Sequence, residues 1–231
     1  MKRVFIVLFF ISTVCFSQKI DKQNALFTIR GNVGIPRTIS SKMFSKSFNG
    51  VYEGNLSANV RLFDNFFVGL GYQHSSFLNR EEVFVFYRAN NGALAYNTRL
   101  LCHSGYLKLG YDKFFSEIGY ASFCVNTGIM FNKYTNINSD TSTANSPFPT
   151  FKFITPYFQP ETSINFIVEK SLSFSIFVNY STMLYKFDPK APRFNQVEEV
   201  HSKPNNYFIS YFSFGFGFNV LINSKSKSST Q

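Results

Sequence analysis

Two residues stand out for the chemistry their types and spacing would allow: His74 and Ser76, two positions apart in a chain of 231 residues. On an extended strand, residues i and i+2 point to the same side. That places an imidazole within reach of a serine hydroxyl, the general-base and nucleophile pairing of covalent catalysis. Glu81 or Glu82 would orient the ring. The plainer reading, which we prefer, makes both polar residues at the rim of a strand where a loop begins. His103 and Ser104 are adjacent, so they would face opposite ways, and His201 sits in a solvated cluster with Glu198, Glu199 and Lys203. Cys102 and Cys124 lack the nearby histidine pair that a zinc site needs, so neither a metal nor a cofactor is expected. If a hairpin turns about Lys113, the two thiols lie opposite one another and a cross-strand disulfide is feasible. Two free thiols filling space is the reading we prefer.

Strands must position these groups. In the run Tyr207 to Leu221, Phe208, Phe212, Phe214, Phe216, Phe218 and Val220 share one parity, and Ser213, Gly215, Gly217 and Asn219 share the other. A period of two is the strand period; on a helix these phenylalanines would scatter around the axis. The same alternation recurs at Phe27–Ile35, Leu56–Leu62, Val68–Tyr72, Gly105–Tyr111, Ala121–Phe131, Ile164–Val168 and Phe174–Tyr180. Pro36 is expected to end the first strand. By this parity Arg30, Glu53, Arg61, Lys108 and Glu161 all lie on the polar face. Ser213, also on that face, is expected to tolerate alanine, and Phe214 not to tolerate arginine.

The composition agrees. There are 31 phenylalanines and no tryptophan, the net charge is +10, and the mean hydropathy is −0.06. A soluble domain of this size could hide only a fraction of those rings, whereas strands crossing a bilayer expose one apolar face and average to a neutral hydropathy. The lysines and arginines are dispersed, so nucleic acid is not expected as a partner. Residues 1–17 read as a secretory signal: Lys2 and Arg3 precede a short apolar core, Val4 to Ile11, and Cys15 and Ser17 occupy the −3 and −1 positions of a cut. Residues 18–222 then form the barrel, and 223–231 a flexible basic tail.

Connections alternate long and short, with short turns at Phe63-Asp64-Asn65, Asp112-Lys113-Phe114 and Glu169-Lys170-Ser171. The expected fold is all-β: one eight-stranded antiparallel transmembrane β-barrel with short periplasmic turns and long extracellular loops. Ten strands would result if Val83 to Tyr87 added a hairpin to the wall. Eight strands leave a lumen just wide enough for side chains to fill, so the five lumenal charges are expected to pair and plug it.

The export signal, the Phe-Asp-Asn-Phe and Tyr-Asp-Lys-Phe turns and Pro160-Glu161 resemble the small outer-membrane β-barrel proteins of the OmpA-like and porin-like superfamily, over about residues 24–222. The resemblance implies a bacterial outer-membrane location, insertion by the barrel-assembly machinery, and a structural or loop-mediated binding role. Outer-membrane lipid and lipopolysaccharide are then the expected partners, with Arg37, Lys42, Lys46, Lys190 and Arg193 facing phosphates. The spacing of His74 and Ser76 is similar to that in outer-membrane lipid A deacylases, which implies a lipid-facing hydrolase as the alternative; Phe77 stands where that family usually has Asn. An exported lipocalin-type ligand-binding barrel is a third reading, and it would require the apolar parity to face inward.

Overall fold

The computed structural model describes residues 25–80, 83–87, 92–136, 150–169, 171–188 and 208–223. The signal read at 1–17 and the chain beyond 223 lie outside the described residues. The elements are β1 (Ala25–Ser40), a short helix α1 (Lys42–Ser47), β2 (Phe48–Phe63), β3 (Phe66–Asn79), β4 (Val83–Tyr87), β5 (Gly92–Tyr96), β6 (Thr98–Ser116), β7 (Gly119–Asn136), β8 (Phe151–Glu169), β9 (Leu172–Lys186) and β10 (Phe208–Asn223). Eight of the strands close a barrel in the order β1-β10-β9-β8-β7-β6-β3-β2, with every neighbouring pair antiparallel. Closure leaves no free sheet edge. β4 and β5 pair only with each other, in a separate two-stranded sheet, so the barrel has eight strands and not ten.

The burial pattern inverts that of a soluble protein. Leu70, Phe216 and Phe218 on the outside are 65%, 58% and 59% exposed, while Lys108 inside is fully buried. Apolar side chains predominate on the outside, and polar ones fill much of the interior, as in a sheet whose outer solvent is hydrocarbon. A lipocalin-type interior, with the apolar parity inside, does not match this alternation.

Two two-residue turns lie at one rim, at residues 64–65 and 117–118; the turn expected at Glu169-Lys170-Ser171 contains Lys170, which lies outside the described residues. Asp64 takes the first with a φ of 45°, a left-handed conformation that aspartate tolerates. The second corrects the turn expected at Asp112-Lys113-Phe114. Those residues continue β6, and Lys113 pairs with Ala121. The carboxylate of Asp112 is needed inside the barrel, so the strand runs on until Glu117 and Ile118. This shift also parts Cys102 from Cys124, so the cross-strand disulfide that is feasible on the sequence gives way to the preferred reading of two free thiols. Cys102 lies opposite Asn132 and Cys124 opposite Gly110, and both thiols are buried and free.

A further correction concerns the opposite rim. Pro36 does not end β1, which runs on to Ser40. It stands past the last β1–β2 pair, Gly34 with Glu53, where a strand tolerates proline. The stretch Arg37 to Asn49 holds the end of β1, all of α1 and the start of β2. Phe44 of α1 is fully buried against Phe48, Phe77 and Phe187, with ring centroids 5.1, 5.6 and 5.5 Å away. Asn223, read as the start of the tail, is the last residue of β10.

Candidate functional site

Charged and polar side chains on opposite walls meet inside the barrel, in layers along its axis. Nearest the two-residue turns, Arg30 of β1 donates through Nη2 to both carboxylate oxygens of Asp112 on β6, at 3.0 and 2.9 Å. β2 and β3 separate those strands in the wall, so the contact bridges the lumen. Arg61 reaches the same carboxylate at 3.9 Å, and the Arg30 guanidinium lies 4.3 Å from the centroid of the Phe67 ring. Beside this layer Asn219 donates to Asn165 at 2.8 Å and to Ser173 at 3.0 Å.

One layer further in, Lys108 of β6 donates to Glu161 of β8 at 2.9 Å. Asn126 donates to the other Glu161 oxygen at 3.2 Å and to Gln159 at 2.8 Å, and Gln159 donates to Ser181 at 2.7 Å. A hydrogen-bonded ion pair satisfies charges that would otherwise be costly in a closed interior. Above it, Glu53 of β2 accepts from Asn179 of β9 at 2.7 Å and from Gln73 of β3 at 2.9 Å. Ser213 of β10 and Ser75 donate at 3.1 and 3.3 Å to the same oxygen, Oε2, that accepts from Gln73, while Asn179 donates to Oε1.

Beyond Glu53 the lumen turns apolar. Phe48, Phe77, Leu100, Met130, Met183 and Ile209 pack there beneath Phe44 of α1, with Tyr106, Tyr157 and Tyr211 at the border of the polar layers. The interior therefore has a charged half toward the turns and an apolar half toward the helix.

The structure thus places Arg30, Glu53, Lys108 and Glu161 inside and buried, and Arg61 half-buried near the turn rim. Asp112, the central partner of the first layer, was missed. Its signal was present, because residues 108, 110 and 112 share a parity, but an acidic residue followed by lysine also looks like a turn.

On the outside, His74 and Ser76 sit on β3 without a hydrogen bond between them. His74 Nε2 lies 2.6 Å from the Tyr52 hydroxyl and Nδ1 lies 3.1 Å from the Cys102 carbonyl oxygen. Ser76 Oγ is buried without a partner. The closest ring to His74 is His103, directly across the β3–β6 ladder, with centroids 4.4 Å apart. His103 Nδ1 in turn meets the Tyr72 hydroxyl at 2.6 Å. Glu81, Lys190, Arg193 and His201 lie outside the described residues. Arg37, Lys42 and Lys46 are exposed at the helix rim, together with Arg80, Lys133, Lys152 and Lys186.

The closed eight-stranded barrel with polar interior and apolar exterior is the fold of the small bacterial outer-membrane barrels. Neisserial surface protein A superposes with a TM-score of 0.54 at 11% sequence identity, over 85% of this chain and 97% of that one. The attachment invasion locus protein of Yersinia pestis, crystallised with the heparin analogue sucrose octasulfate, gives 0.43 at 11% over 84% and 97%. The Escherichia coli outer-membrane protease OmpT gives 0.43 at 10% over 90% and 100%. No protein-family model matches the chain, and no curated protein matches it by sequence. At these identities the likeness concerns the fold.

Proposed function

We propose that this chain is an exported outer-membrane barrel whose interior is closed by its own side chains, and which serves as a stable membrane anchor presenting a basic rim to lipopolysaccharide. The observation that carries the reading is the cross-lumen contact of Arg30 with Asp112 and of Lys108 with Glu161, capped at the other end by Phe44. Ion pairs and packed rings that span an eight-stranded lumen leave no continuous aqueous path. Orientation follows from the rims: two-residue turns face the periplasm, and the α1 rim faces outward.

Arg37, Lys133, Lys152 and Lys186 have the parity of the lipid-facing residues at that outer rim, which is where phosphate groups of the outer leaflet lie. Cations there gain charge-assisted hydrogen bonds to phosphate. The binding role is tested by charge reversal of Arg37, Lys42, Lys46, Lys190 and Arg193 together, with a loss of lipopolysaccharide association expected. Unchanged association would remove the rim from the proposal. The closed lumen is tested on the refolded mature protein. Heat-modifiable gel mobility with no steady conductance in liposomes is expected, and a stable open conductance would contradict it.

The hydrolase alternative gains nothing from the geometry, because both nitrogens of His74 already have other partners.

A further inference from the structure

The outer wall of β2, β3 and β6 carries polar groups where its neighbours carry none. His74 and His103 stand directly opposite one another on β3 and β6. The same lateral row continues through Gly54 to Val33 on one side, and through Phe131 and Ile154 on the other. Val33, Phe131 and Ile154 are more than half exposed, as lipid-facing residues are. Beside the imidazoles lie the hydroxyls of Tyr52 and Tyr72, each 2.6 Å from a ring nitrogen. A Cβ added at Gly54, opposite His74, or at Gly105, opposite Tyr72, would meet nothing within 4 Å, so open space flanks the patch.

Depth decides what meets it. His74 is the ninth residue of β3 counted from the turn rim, and about 9–11 tilted residues cross the hydrocarbon. The patch therefore lies at the outer boundary, where lipid headgroups begin. Just beyond it on β6 comes Arg99, and Lys133 stands opposite Leu101 with Lys152 opposite Lys133. Arg99 Nε is buried without a partner, and neither Arg99 nor Lys133 forms an ion pair among the described residues. The described carboxylates lie in the lumen, at the turn rim or, for Asp188, past the end of β9. Ser76, between Tyr52 and Leu101 in the same wall, is fully buried and its hydroxyl has no partner.

Donors remain here for a ligand. His74 Nδ1 faces the Cys102 carbonyl oxygen, so it carries the proton, and Nε2 accepts from Tyr52. Between His103 and Tyr72 one donor stays free whichever group gives the proton they share: Nε2–H of the ring, or the tyrosine hydroxyl. A guanidinium fork matches phosphate oxygens. Cations for a phosphate thus stand next to a phenol and imidazole shelf that suits the hydroxyls of a sugar.

We propose that this strip of β3 and β6 holds one lipopolysaccharide molecule by its phosphorylated glucosamine headgroup, with Arg99 and Lys133 on a phosphate and His103 with Tyr72 on the sugar hydroxyls. The glycolipid carries both groups at that depth, whereas phosphatidylglycerol offers the phosphate without the sugar ring. The proposal rests on the orientation and the lipopolysaccharide reading given above. It deepens that reading by naming one site, built from residues outside the five cations reversed there.

Lipid A and phosphatidylglycerol are titrated separately, in micelles, onto the refolded mature barrel, and bound lipid is counted by native mass spectrometry. One lipid A per barrel is expected, in preference to phosphatidylglycerol; equal binding of the two overturns the proposal. Arg99→Gln combined with Lys133→Gln should weaken the lipid A complex by about tenfold or more, the loss of one charge-assisted hydrogen bond. That loss is expected whatever the variant with five reversed rim cations does. Loss in the rim variant alone overturns this site and leaves the rim reading standing, and loss in neither overturns both. Heat-modifiable mobility checks that each variant has folded. Should the double variant fail to fold, carbethoxylation of histidines in the unaltered protein decides. Lipid A is expected to shield His103 and phosphatidylglycerol is not; equal labelling with and without lipid A overturns the proposal.

Discussion

Arg30 on β1 and Asp112 on β6 face each other across the lumen, and one guanidinium nitrogen donates to both oxygens of one carboxylate. Arg61 also reaches that carboxylate, at the longer distance of 3.9 Å. Removing one partner of a buried pair strands the other, at about 3–5 kcal/mol. Asp112→Ala is therefore expected to lower the unfolding free energy of the refolded barrel by about that amount in urea titrations. An Arg30→Met, Asp112→Leu double variant should recover much of the loss, since an apolar pair of similar volume needs no counter-charge.

The two faces of β10 respond differently to substitution. Phe214 is 47% exposed on the outer face, so Phe214→Arg should cost about 2–4 kcal/mol where that face meets the middle of the bilayer. Ser213 points inward, and the expectation that alanine would be tolerated there needs revision. Its hydroxyl donates to Glu53 at 3.1 Å, and a hydrogen bond to a charged group is worth about 1.5–3 kcal/mol. Ser213→Ala should be measurably destabilising, and Ser213→Thr less so, in the same urea assay.

Glycines provide a contrast that a single pair of variants can read. A Cβ added at Gly128 would lie 2.0 Å from the Gly105 carbonyl oxygen and 2.8 Å from the Tyr106 Cα, both backbone atoms that cannot swing aside. At Gly54 an added Cβ meets nothing within 4 Å. Gly128→Ala is expected to cost about 1–3 kcal/mol, as overpacking does. Gly54→Ala should change stability by less than about 0.5 kcal/mol. Melting curves of the two variants measured side by side would show the ordering.

Ser76→Ala should leave the mass spectrum of lipid A unchanged in cells that express the protein. His74 is held by the Tyr52 hydroxyl and the Cys102 carbonyl, so it is not poised to take a proton from Ser76. A loss of deacylated lipid A in the variant would revive the hydrolase reading.

Alternation in the chain determined which side chains face lipid and which face inward, because parity is a local property: successive residues of a strand must point opposite ways. Phe214 and Ser213, Lys108 and Leu107 are sorted by that rule alone, and so is the lumenal placement of Arg30, Glu53 and Glu161. The number of barrel strands was also legible, since each alternating run is long enough to cross. What parity cannot supply is register, which belongs to two strands at once. Moving the β6–β7 turn from 113 to 117–118 turned Asp112 from a loop residue into the partner of Arg30 and parted Cys102 from Cys124. Phe44 was hidden for a related reason. One buried ring in a six-residue helix has no period to detect, and only the walls of the closed barrel, Phe48, Phe77 and Phe187, give it a place to go. Gln73 reaches Glu53 from the adjoining strand, but Asn179 and Ser213 come from strands far along the chain, and barrel closure brought those two contacts together.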